Sequence, residues 1–115
     1  MLAISNSCRY FLYGKPTDMR FGINSLTGLV RNELGFDPMN GDVFIFIGKR
    51  GNQVRMVQWD RDGFAMYIKK LERGTFERPR INGNAIPGSQ LALLLQGVKL
   101  ESVSYRKRYD PLKRG

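Results

Sequence analysis

Apolar and polar positions are patterned most regularly between Asp42 and Gly74, and this stretch predicts three strands joined by two tight turns. Val43–Ile47 is an unbroken apolar run of β-branched and aromatic residues, as expected of a strand covered on both faces. Gly48-Lys49-Arg50-Gly51-Asn52 follows with turn chemistry, since glycine and asparagine tolerate the positive φ of a hairpin. Val54 and Met56 then alternate with Gln53 and Arg55. Asp60-Arg61-Asp62-Gly63 makes the second reversal, with Asp-Gly at its end, and Phe64, Met66 and Ile68 alternate with Ala65, Tyr67 and Lys69. The pattern is that of an antiparallel meander.

The flanking segments read less regularly. Cys8 to Tyr13 predicts a strand with Tyr10 and Leu12 on one side and Phe11 and Tyr13 on the other; Gly14-Lys15-Pro16 ends it. Met19, Ile23, Leu26, Val30 and Leu34 recur at helical spacing, with Thr17 or Asp18 as the cap and Gly35 as the stop. Gly22 and Gly28 each cost this helix about 1 kcal/mol relative to alanine, so packing against the sheet must hold it. Residues 75–87, with Pro79, Asn82-Gly83-Asn84 and Pro87, predict a loop or mobile arm carrying Arg78 and Arg80. Ser89 to Gln96 predicts a short helix capped by Ser89, with Leu91, Leu94 and Leu95 inward and Gly97 as terminator. Glu101 to Tyr105 reads as a last edge strand. The whole is expected to be α+β: an antiparallel sheet of four or five strands built around the meander, with two helices on one face.

Length and charge narrow the picture. The 115 residues are expected to form a single domain, with 98–115 as a basic, partly mobile tail. Nineteen lysines and arginines against ten acids give a net charge of +9, which favours a polyanionic partner, nucleic acid or an acidic membrane surface. No apolar stretch approaches the ~20 residues needed to span a bilayer, and the N-terminus lacks the order of a signal peptide. A lone Cys8 excludes an internal disulfide. The expected setting is a reducing cytoplasm.

The candidate chemistry is cationic. Between Lys49 and Arg80 lie nine basic residues against four acids, many on turns or polar strand faces. Tyr105-Arg106-Lys107-Arg108-Tyr109 adds a basic cluster bracketed by aromatics, suited to phosphate contact with base stacking. The chain contains no histidine, so general-base chemistry loses its commonest player and Cys8 has none to activate it. Asp60 and Asp62 lack the further oxygen ligands of a calcium loop and suit a hairpin turn. No catalytic residue, metal or cofactor is expected. Asp18 reads as a helix cap with an ion pair nearby; Arg20 is open between that pair and a phosphate contact. Trp59 and Tyr67 read as sheet packing rather than a stacking platform.

Five pieces carry a family resemblance: Pro16-Thr17-Asp18-Met19-Arg20, Gly41-Asp42-Val43-Phe44, Trp59-Asp60 with Gly63-Phe64, Lys70-Leu71-Glu72-Arg73-Gly74, and Gln90-Leu91-Ala92-Leu93-Leu94-Leu95-Gln96-Gly97. In order and spacing, from about Arg9 to Gly97, the chain resembles the TnpB-type accessory protein of the IS-sixty-six insertion sequences, the product of their second reading frame. The resemblance implies a small protein encoded beside a separate DDE-type transposase and needed with it for efficient transposition. It supplies no catalytic residue. Two departures stand out: Phe21 occupies a place where the family usually has lysine, and the turn Gly48-Lys49-Arg50-Gly51 is less arginine-rich than usual.

The sequence therefore leads to an accessory DNA-binding protein for transposition. Arg20, Lys49, Arg50, Arg55, Lys69, Lys70, Arg73, Arg78, Arg80, Arg106, Lys107 and Arg108 are the candidate backbone contacts. Neutralising about five phosphates predicts a slope of log affinity on log salt of about −4 to −5. The alternative is an adaptor that docks on the transposase without touching DNA. The single test within the fold is whether the cations gather on one face.

Overall fold

The computed structural model describes residues 8–79 and 83–96. Its sheet holds β1 (Tyr10–Leu12), β2 (Val43–Ile47), β3 (Gln53–Asp60), β4 (Gly63–Lys70) and β5 (Ala85–Ile86), in the order β4-β3-β2-β1-β5. Helix α1 (Ile23–Leu29) runs into a π-helical turn at Val30–Leu34, and α2 (Gly88–Leu95) follows β5. The α+β class and the number of strands and helices agree with the sequence reading.

The meander forms as the alternation requires. β2 pairs antiparallel with β3 from Val43↔Gln58 to Ile47↔Val54, and β3 with β4 from Gln53↔Lys70 to Asp60↔Gly63. The first strand corrects the expectation of an all-antiparallel sheet. β1 runs parallel to β2, Tyr10↔Val43 to Leu12↔Ile45, because the α1 segment between them gives the chain length to return to the same end. A period-two pattern fixes faces and says nothing of direction.

The placement of both helices on one face is corrected too. Phe11, Tyr13, Phe44, Phe46 and Val57 pack with Leu26 and Val30 of the α1 segment. Tyr10, Leu12, Val43, Ile45, Ile47, Val54 and Met56 pack with Leu91, Leu94 and Leu95 of α2 on the opposite side. All five residues of β2 are buried, so the central strand must be roofed on both faces, and one helix serves each. Each fully buried Phe, Ile or Leu here contributes about 1.5–3 kcal/mol by leaving water.

Helix α1 begins later than its stripe predicts. The Asp18 carbonyl accepts the Phe21 N–H at 3.0 Å, closing a turn, and Gly22 is the N-cap with no side-chain hydrogen bond. Thr17 and Asp18 are therefore not caps, although Met19 packs at the edge of the α1-side core. Gly35 does stop the helical segment, at φ 72°. α2 also differs at its start: Pro87 is the N-cap, and Ser89 lies within the first turn.

Residues 75–87 are not the patternless arm that proline and glycine suggested. Phe76 is buried in the α2-side core, Pro79 is buried, and Ala85–Ile86 pairs antiparallel with β1. Arg80, Gly97, the 101–105 strand and the Arg106–Arg108 cluster lie outside the described residues. Among the described residues no helix is long and apolar enough to cross a membrane.

Candidate nucleic-acid interface

The β2–β3 turn and the segment before α1 are brought together by backbone pairing. The Thr17 N–H donates to the Ile47 carbonyl at 2.9 Å, and Thr17 bridges in parallel to Gly48. This lays Asp18, Met19 and Arg20 beside Lys49 and Arg50. The turn is itself pinned, with the Gly48 N–H bonded to the Gln53 carbonyl at 3.0 Å and the Phe76 N–H to the Gly51 carbonyl at 2.7 Å. Gly51 sits at φ 76°, a conformation that favours glycine. Gly48 is needed for room: a Cβ there would stand 2.6 Å from the Met19 Cγ.

Between these two segments and the end of β4 lies a cleft of about 400 Å³, lined by Arg20, Lys49, Arg50, Lys70, Asn52, Gln53 and the 17–19 segment. Four cations thus share one concavity, and its acid is Asp18. That carboxylate is already occupied: it accepts from the Arg20 guanidinium at 2.7 Å and 3.0 Å and from the Arg20 backbone N–H at 2.9 Å. The Arg20 side-chain hydrogen bonds, then its backbone N–H, then the charges of Arg20 and Lys49 hold Asp18 well below the usual carboxylate range. The same pair raises the Arg20 guanidinium. Arg20 remains 90% exposed, leaving donors for a ligand. Such a cleft can take a phosphate diester through charge-assisted hydrogen bonds.

The other candidate cations separate from this group. Arg55, on the α1 face of β3, donates to the Phe21 carbonyl at 2.7 Å and to Gln53. Arg78 donates to the carbonyls of Tyr13 and Ile47, each at 3.3 Å, and its burial lowers the guanidinium from its ordinary value. Lys69 points to the α2 face and donates to the Leu95 carbonyl at 2.6 Å. Arg73 is exposed beyond β4 and has interactions of its own. Sequence reasoning missed Asn52 and Gln53 as cleft residues; their neighbourhood with Lys49 and Arg50 was the available signal.

Trp59 and Tyr67 lie on opposite faces of the sheet. Trp59 meets Phe64 edge-on with ring centroids 5.0 Å apart, and Tyr67 packs against the α2-side core. They cannot stack one strand together. Asp60 and Asp62 belong to the β3–β4 turn, where the left-handed residue is Arg61, at φ 59°, rather than Gly63. Among the described residues no group of three or more His, Cys, Asp or Glu is placed to hold a metal ion.

Fold and cleft together define a small, strongly basic α+β protein with a cationic groove at one end of its meander. Residues 8–105 match the family described as IS66 Orf2 like protein, and the chain belongs to that family, an accessory component of insertion-sequence transposition. It is similar to two relatives from Sinorhizobium fredii (strain NBRC 101917 / NGR234). Uncharacterized protein y4jC is 34% identical over 115 residues, covering 98% of this chain and 98% of the relative. Uncharacterized protein y4hO is 35% identical over 100 residues, covering 85% of this chain and 87% of the relative. No solved structure matches the chain.

Proposed function

We propose that this protein serves transposition by gripping DNA non-catalytically through its cationic cleft, in the bacterial cytoplasm and alongside a separate transposase. Arg20, Lys49, Arg50 and Lys70 contact backbone phosphates, so binding tolerates many sequences. The carrying observation is that these four cations line one groove whose acid, Asp18, is already taken by Arg20. An even scatter of lysines and arginines, each with a neighbouring carboxylate, would have argued against this reading. Arg55, Arg78 and Lys69 serve the fold first, because each spends its charge on a backbone carbonyl.

Fluorescence anisotropy with a labelled duplex tests the proposal. The K49A/R50A variant is expected to lose DNA affinity by at least tenfold at low salt, about two phosphate contacts' worth, while still capturing the transposase in a pull-down. Unchanged DNA affinity with lost transposase capture would favour the adaptor reading instead.

A further inference from the structure

The outer edge of the sheet carries a second surface, which shares only Lys70 with the cleft. Among the described residues β4 pairs with β3 alone, and it is eight residues long, a length at which an open edge is a template for another strand. Its free backbone groups can be assigned. The Leu71 N–H bonds to the Asn52 carbonyl, and the ladder alternates from there, so Gly63, Ala65, Tyr67 and Lys69 bond toward β3. Phe64, Met66, Ile68 and Lys70 therefore turn their N–H and C=O groups outward. The same four side chains lie on the α1 face, where Phe64 and Met66 are half-buried and Ile68 is 48% exposed.

We propose that β4 is a homodimer interface, at which the β4 strands of two copies of this chain pair antiparallel about a two-fold axis at Met66. Only this register satisfies side chains and backbone at once. A two-fold axis normal to the sheet keeps the α1 faces on one side, and centring it on any residue from Phe64 to Ile68 puts outward groups opposite each other, through a hydrogen-bonded or a non-hydrogen-bonded central pair. With Met66 opposite Met66 of the second copy, Phe64 meets Ile68, an aromatic and β-branched pair. Asp62, in the turn just before the strand, then comes opposite Lys70 at the strand's far end, so the edge's charge is complementary to itself. Moving the axis to Phe64 sets Asp60 against Ile68, and moving it to Ile68 sets Met66 against Lys70. An axis at Ala65 sets Asp62 against Ile68, and one at Tyr67 sets Phe64 against Lys70, so all four alternatives oppose a charge to an apolar side chain.

Sedimentation velocity of the full-length protein over the micromolar range, without DNA, tests this. The wild type is expected to pass from monomer to dimer with concentration. D62K and K70D each set like charges opposite twice per dimer, and each is expected to weaken dimerisation roughly three- to thirtyfold. The D62K/K70D double variant restores opposite charges and recovers the wild-type midpoint, which a simple folding defect would not allow. A wild type monomeric at every concentration overturns the proposal. So does a dimer that neither single substitution weakens. Since DNA is absent, neither outcome tests the reading of the cleft, so the failure of one proposal is distinguishable from the failure of the other.

Discussion

Lys69 Nζ donates to the Leu95 carbonyl oxygen at 2.6 Å, tying the last turn of α2 to the edge strand β4. A cation there also opposes the negative end of the helix dipole. The next residue, Lys70, faces the other side of the sheet and lines the cleft. Two adjacent lysines thus have separable effects. K69A is expected to lower stability by about 1–2 kcal/mol, through a lost charged hydrogen bond and dipole contact, with little change in DNA affinity. K70A is expected to leave stability within about 0.5 kcal/mol and weaken DNA binding several-fold. Denaturation and anisotropy on the same two proteins check both.

Arg78 joins the ends of two parallel strands. Its guanidinium reaches the carbonyls of Tyr13 and Ile47, just beyond β1 and at the end of β2. Removing it strands those acceptors, and R78A is expected to cost about 2–3 kcal/mol in chemical denaturation. R78K keeps the charge but cannot fork to both oxygens, so it should recover only part of that loss.

The Asp18–Arg20 pair has a titration signature. Asp18 is depressed in the folded chain, so the pair's contribution is complete above the ordinary aspartate value of roughly 4. It fades as pH falls from there through the depressed folded value. Side-chain carbonyl NMR should find Asp18 still ionised below the range in which exposed aspartates titrate, and R20A should return it to that range. An ordinary Asp18 titration in the wild type would contradict the bonding described.

Arg61 holds a left-handed conformation at φ 59°, at the first central position of the β3–β4 turn. Glycine is the residue that position favours. R61G is expected to raise stability by about 0.5–1 kcal/mol, relief of backbone strain exceeding the added freedom of the unfolded chain. A shift in thermal midpoint measures it.

Much of this fold was legible because alternation and turn residues are local. β2, its turn Gly48–Asn52, β3 and β4 follow directly from the pattern at Val43–Lys70. What escaped was non-local. Parallel pairing of β1 with β2 depends on where the intervening chain returns, and the two-residue β5 is a strand only because β1 offers it an edge. Of the helix stripe, Leu26, Val30 and Leu34 pack in the core, while the tight turn at Asp18–Phe21 leaves Met19 before the helix and displaces its start to Gly22. The candidate cations were legible by type and not by position. Nothing in the order of residues says that Arg20 and Lys70 line one cleft with Lys49 and Arg50, while Arg55 and Arg78 turn inward to carbonyls.

The dependence of DNA affinity on salt tests the central claim most directly. If Arg20, Lys49, Arg50 and Lys70 each meet a phosphate, log affinity should fall with log salt at a slope of about −3 to −4, and K49A/R50A should reduce its magnitude by about 2. An unchanged slope in that variant would contradict the account.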